Sequence, residues 1–270
     1  MMIRLATTAT CVALFSLPVQ ADQADALLDA LGVEQIIDVM RTEGLDYGDD
    51  LAGEMFPGGA SQSWRDAVDR IYDTDRMEMT VRSEFSAALG DADVTPMLEF
   101  FGTREGMRLV ELEVSARTAM IEDEIEEMAR ATYRDLSGSD DDRLALIEDY
   151  VQSNDLIEAN VVGAMNASMQ FYGGLVDGGA LELSQDEILR DVWEQEEETR
   201  TDTREWVHGF LLMAYGPLED STLKTYTALS ETPAGEAMNR ALFAGFDRMY
   251  GDISYALGRA AARQMQTQDL

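Results

Sequence analysis

Apolar residues return every three or four positions along nearly the whole of this 270-residue chain. The clearest stretch is near the C-terminus, where Met238, Leu242, Phe246, Met249, Ile253 and Leu257 form one stripe. That spacing follows the 3.6-residue turn of an α-helix, and no segment alternates polar and apolar long enough for a strand. The chain is therefore expected to be all-α. A first helix is expected from Asp25 to Glu43, stopped by Gly44, and a second over residues 61–89 with a break near Asp73. A short helix over 94–101 then precedes one long helix from Thr103 to Leu136, striped by Gly106, Val110, Val114, Ile121, Ile125 and Met128. The second half repeats this plan. Its helices are expected over 143–152, over 156–176 (which Gly173-Gly174 can shorten), and over 184–215, 218–229 and 232–265.

A short motif occurs twice at an offset of 129 residues. The first copy is Phe100-Phe101-Gly102-Thr103-Arg104-Glu105-Gly106, and the second is Leu229-Ser230-Glu231-Thr232-Pro233-Ala234-Gly235. The same offset carries Trp64 onto Trp193. Of the 43 pairs from Trp64–Gly106 and Trp193–Gly235, seven are identical, and the long striped helix after the motif also recurs. The reading is a tandem duplication: a first helical unit over 22–136, a linker at 137–142 and a second unit over 143–270. The linker, Ser137-Gly138-Ser139-Asp140-Asp141-Asp142, joins a flexible turn to an acidic helix start.

Each motif reads as a helix start. Thr103 and Thr232 can accept from free first-turn N–H groups, and Pro233 suits the first helical position, where no donor is lost. Gly106 and Gly235 disfavour a helix, so their expected value is close packing against the preceding short helix. Anion binding at these N-termini is the functional alternative, but only Arg104 offers a basic partner, and only in the first copy. The arrangement resembles domain-of-unknown-function family 2059: a short helix ending in an aromatic or aliphatic pair, then Ser/Thr-Pro-x-Gly, then a long amphipathic helix. The likeness covers about 85–129 and 214–257. The second copy keeps Thr232-Pro233-Ala234-Gly235, whereas the first has Arg104 in place of proline. The resemblance implies an exported bacterial all-α protein and supplies no catalytic residue.

The N-terminus carries Arg4, an uncharged apolar run from Leu5 to Val19, and Val19-Gln20-Ala21 as a small-residue cleavage site. Residues 1–21 are therefore expected to be a signal peptide that delivers the chain to the periplasm of a Gram-negative bacterium, with no membrane anchor after cleavage. The sole cysteine, Cys11, would leave with it, excluding disulfides and thiol chemistry from the mature chain. Acidic residues number 53 against 20 basic ones, for a net charge of −33. Such a surface repels nucleic acid and anionic lipid, and favours solubility, cations or basic partners; the alternative is a solvated surface with no specific partner, as in salt-adapted proteins. A cation or another envelope protein is the partner class left open.

Catalytic patterns are scarce. His208 is the only histidine, without a second His or any Cys to build a zinc site, and no G-x-S-x-G elbow or phosphate loop is present. Ser137, Ser139, Asp141 and Glu148 have the spacing of a calcium loop, but Asp142 stands where that loop requires glycine. No cofactor is expected. One segment stands out: residues 194–205 contain no apolar residue, yet lie between Trp193 and Trp206 on what should be one helix. Two structural readings are a helix projecting into solvent and a break near Thr201. The functional reading is a polar ligand site built from Trp193, Arg200, Asp202, Arg204, Trp206 and His208. The expected function is a non-catalytic binding or interaction protein of the cell envelope. The alternatives are a small-ligand site near 193–208 or a hydrolase using paired carboxylates.

Overall fold

A computed structural model describes residues 17–268, with side chains described from 23 to 267. Among the described residues there are thirteen α-helices and no strand. In chain order they are α1 (Leu17–Ala30), α2 (Val33–Met55), α3 (Gln62–Ile71), α4 (Thr74–Leu89), α5 (Thr95–Phe101), α6 (Arg104–Ala119) and α7 (Asp123–Leu136). After the turn at 137–141 come α8 (Asp142–Ser153), α9 (Leu156–Asp177), α10 (Gln185–Glu194), α11 (Glu196–Tyr215), α12 (Asp220–Ser230) and α13 (Pro233–Gln268). The expected signal peptide falls outside the described residues except for 17–21, which begin α1. No described helix is long and apolar enough to cross a membrane.

Side-chain caps open six of the thirteen described helices. Ser61 accepts from the Trp64 N–H, Asp73 from Arg76 and Asp141 from Leu144. Ser184 and Glu187 form a reciprocal capping box at α10. The twin motifs are superposable in their bonding. Thr103 Oγ1 accepts from the Gly106 N–H at 3.1 Å and donates to the Phe100 carbonyl at 2.7 Å. Thr232 Oγ1 does the same with Gly235 and Leu229, at 3.2 and 2.6 Å. A Cβ on Gly106 would lie 2.2 Å from the Phe100 oxygen, and one on Gly235 2.4 Å from the Leu229 oxygen. Both glycines thus let a helix start fold back against its predecessor.

Glycine has the opposite effect from the expected one in two helices. Gly44 does not end the first helix; the break falls at Gly32, in the left-handed conformation with φ 68°. Gly44 and Gly48 lie inside α2 because they face a neighbour. A Cβ on Gly44 would come within 2.1 Å of the Tyr72 ring, and one on Gly48 within 2.6 Å of Val68. The buried Trp64 indole N–H also donates to the Gly48 carbonyl at 2.8 Å. Likewise Gly173-Gly174 does not shorten α9. Gly174 faces Gly258 of α13, where a Cβ would approach the Tyr255 carbonyl to 2.3 Å, while a Cβ on Gly258 would meet the Phe171 carbonyl at 2.1 Å.

Two further helices expected to be continuous are split. Residues 103–136 divide at Met120-Ile121-Glu122, where Met120 is buried and the chain turns. The second piece restarts with its own phase, burying Ala129 and Tyr133 and exposing Met128, which the single-helix stripe had placed inside. Residues 184–215 divide at Gln195, not near Thr201, and α11 runs through Thr201 unbroken.

The halves do not pack as separate bodies. The first-half helix α4 lies along α13 of the second half, and second-half α11 lies along α6 and α7 of the first. Most of the buried apolar side chains form one cluster from Ala24 to Ala262. Within it α13 runs between α9 and α4, the latter approaching at Gly245 opposite the Val81 backbone.

Adjacent glycines test this packing. Gly174→Ala should lower stability by about 1–3 kcal/mol, because the methyl group overlaps rigid backbone of α13. Gly173, with nothing within 4 Å of a new Cβ, should give up to about 1 kcal/mol of stabilisation as alanine from helix propensity alone. Thermal and urea unfolding of the two variants should therefore move in opposite directions. Equal shifts would refute the α9–α13 contact.

Candidate functional site

The polar segment that sequence could not place is held by ion pairs. On one side of α11, Asp202 meets Arg130 at 2.9 Å and Glu205 meets Arg134 at 2.8 Å, joining α11 to α7. On another, Arg200 meets Glu158 of α9 at 2.8 Å and Glu196 of its own helix at 2.6 Å. These residues replace the apolar stripe over this stretch, so α11 docks through charge here and through Val207, Leu211, Ala214 and Tyr215 further along.

Beside this seam lies a cleft of about 330 Å³. Arg200, Arg204 and His208 line one wall, spaced by four residues on one face of α11. Glu148, Val151, Gln152 and Asp155 line the facing wall, spaced by three or four along α8 and the turn after it. Tyr133 of α7 and Ile157 and Glu158 at the start of α9 complete the lining.

Buried bonds hold the α8–α9 turn. Asn154, almost fully buried, donates to the Tyr150 carbonyl at 2.9 Å and to Ser230 Oγ at 3.0 Å, while Asn239 donates to the Asn154 carbonyl at 2.9 Å. Asp155 beside it has φ 51°, the only non-glycine residue with positive φ among those described. Aspartate tolerates that conformation better than most residues, and such strain persists where its surroundings over-determine it. In this conformation its side chain does not cap α9, so the first-turn N–H groups have no side-chain acceptor at the cleft edge.

His208 is the deepest polar group of the cleft, with 4% of its surface exposed. Its ring stacks on Tyr133 at 4.4 Å between centroids. Nδ1 lies 2.8 Å from the Arg204 carbonyl, which can only accept, so Nδ1 carries the proton and Nε2 is the acceptor. Nε2 has no hydrogen-bond partner among the described residues and is not sealed from solvent, so its free edge opens on the cleft that His208 lines. Burial holds the imidazole below its usual proton affinity, opposed by the Arg204 carbonyl contact and by Glu148 and reinforced by Arg204. The ring is thus neutral at pH 7. Arg204 is exposed and makes no ion pair among the described residues.

Of the six residues singled out from sequence, the structure brings Arg200, Arg204 and His208 together and separates the other three. Trp193 stands on α10, across the Gln195 break, 66% exposed. Asp202 is taken by Arg130. Trp206, two positions off the α11 stripe, stacks on Phe210 at 5.3 Å beneath the Arg117 guanidinium at 4.5 Å. The structural residues Thr103, Gly106, Thr232, Pro233 and Gly235 lie outside the cleft. No described group of three or more His, Cys, Asp or Glu side chains is arranged to hold a metal ion; Asp141 caps α8 and Glu148 faces the cleft.

A second polar feature was missed. Glu113 of α6 accepts from the Tyr215 hydroxyl in a core that also buries Tyr150 and Tyr226. Burial raises its proton affinity to about 7, and the Tyr215 bond opposes the rise. A single acid on a partly apolar helix face carries no sequence signal of this kind.

No protein-family model matches this chain, and no curated protein or solved structure matches it. The likeness to domain-of-unknown-function family 2059 therefore rests on the motif residues alone.

The Glu113 carboxyl predicts a pH effect of definite sign. Its native proton affinity lies above that of the unfolded chain, so it contributes full stability below about pH 4.5 and loses it as pH rises through about 7. Glu113→Gln should remove this component, on the order of 1–3 kcal/mol. The variant should therefore gain stability relative to the parent chain between pH 5 and 8. A difference in unfolding temperature that stays flat across that range would contradict the assignment.

Proposed function

We propose that this protein is an exported, non-catalytic binding protein of the bacterial cell envelope, with its ligand site in the cleft between α8 and α11. The observation that carries this reading is His208. It is a neutral, nearly buried imidazole whose Nε2 acceptor opens on a cleft also lined by the exposed, unpaired Arg204. Buried polar groups are almost always bonded, and a free one in a cleft is a ready ligand contact. The strained Asp155 and the uncapped start of α9 beside it support the same reading. Binding is favoured over carboxylate hydrolysis because Glu113, the carboxyl with the most strongly raised proton affinity, is engaged by Tyr215 and lies outside the cleft.

Export is part of the proposal, supported by Arg4, the Leu5–Val19 run and the Val19-Gln20-Ala21 site. The proposal also includes descent of the two halves from one duplicated unit. The superposable Thr103–Gly106 and Thr232–Gly235 caps and the exchange of α4 and α11 between halves support it.

The test is to express the full chain in a Gram-negative host and purify it from the periplasmic fraction. The intact mass should correspond to a chain starting at Asp22. Native mass spectrometry should show a small molecule bound to this protein after incubation with periplasmic extract, and Arg204→Gln should lose it while unfolding at the same temperature. Retention of the leader in the cytoplasm would refute export, and an extract yielding no adduct that depends on Arg204 would refute the ligand site.

A further inference from the structure

The charges around the cleft specify more than an anion site. Arg200 is spent on Glu158 and Glu196. What remains is one free cation, Arg204, on the α11 wall, and two carboxylates, Glu148 and Asp155, on the α8 wall, none of them in an ion pair among the described residues. The same cleft is lined by His208, whose Nε2 is an acceptor without a donor among the described residues. A simple anion would satisfy Arg204 but set its charge against the Nε2 lone pair and both acids. A simple amine would satisfy the acids and the imidazole and leave Arg204 unmet. A cleft of about 330 Å³ is at the small end of ligand sites.

We propose that this cleft binds a small zwitterion of amino-acid or dipeptide size. Its ammonium group is held by His208 Nε2 with Glu148 and Asp155, and its carboxylate by Arg204 at the uncapped start of α9. The inference rests on the cleft being the ligand site and adds the chemical class of the ligand. Recognition by a neutral imidazole also makes binding pH-dependent. Glu148 from α8, Asp155 and Glu158 from the start of α9, Tyr133 from α7, and Arg200 and Arg204 on its own helix surround His208. Protonation of His208 turns the acceptor into a donor that repels the ammonium, so binding weakens on the acid side as the ring gains its proton.

Isothermal titration of the mature protein with the common free amino acids and with dialanine tests the class. The tightest binder is then compared with its N-acetyl and C-amide derivatives, which remove the ammonium and the carboxylate in turn. Each blocked form should bind about tenfold or more weakly, because each leaves a charged group of the cleft unmatched. In Arg204→Gln, an exposed substitution that leaves the core intact, the acid and its amide should bind alike. In His208→Gln the acid-side fall in affinity should disappear. The inference is overturned if no free amino acid or dipeptide binds, or if either blocked form binds as well as its parent. A molecule captured from periplasmic extract that depends on Arg204 but lacks an amine or a carboxylate would overturn the ligand class while leaving the binding site standing.

Discussion

The contact between α9 and α13 at Gly174 and Gly258 is the constraint on which the rest of the molecule depends. Each glycine faces the other helix's backbone, so the axes come closer than any side chain would permit. Gly178 extends the contact, since a Cβ there would lie 2.3 Å from Ala262. Close approach sets where α13 runs. Its opposite side is then presented to α4, and the first half is tied to the second through α13. Because α11 also crosses to α6 and α7, neither half can bury its apolar faces alone. The chain contains no cysteine after Cys11, so this shared packing is the device that replaces covalent cross-links.

A net charge of −33 opposes compaction, and the way the arginines are used answers part of it. Arg82 gathers Asp25, Asp29 and Glu78 from α1 and α4; Arg130 and Arg134 join α7 to α11; Arg200 joins α11 to α9. Single exposed pairs contribute little, but an arginine shared by two or three acids between helices also fixes register. The α11 seam shows the consequence. Its charged stretch aligns α11 against α7 and α9, and that alignment sets the facing walls of the cleft.

The all-α class and most helix positions were legible because both follow from local rules. A 3.6-residue stripe, a Ser, Thr or Asp cap and a Pro-Gly stop act within a few residues of themselves. Thr103 and Thr232 read as caps in sequence and bond as caps in the structure. Gly44 and Gly174 were misread for a non-local reason. A glycine inside a helix pattern looks the same whether it ends the helix or meets Tyr72 or Gly258, and only the partner decides. The splits at Met120 and Gln195 were hidden likewise, because a change of helix direction carries no composition of its own. At the candidate site, the spacing of Arg200, Arg204 and His208 was sufficient to place three residues on one wall. Trp193 and Trp206 attracted attention by their chemistry, yet the break after one and the phase of the other remove them. The facing wall of Glu148, Gln152 and Asp155 lies some fifty residues away in sequence, and nothing local connects it to α11.

The duplication reading and the cleft bear on each other. If the halves share an ancestor, the segment matching α11 in the first half is α3 and α4, which carry Trp64, Val68 and Met77 into the core. The residue matching His208 is Met79, which is exposed on α4. One half thus spends this segment on apolar burial and the other on charge. Placing Glu197 and Arg200 where the first half has Val68 and Ile71 sacrifices hydrophobic stabilisation that the Arg200 ion pairs only partly restore. Stability alone does not favour that exchange. A polar wall opposite α8, with a neutral imidazole at its base and a free guanidinium beside it, gives the exchange a reason.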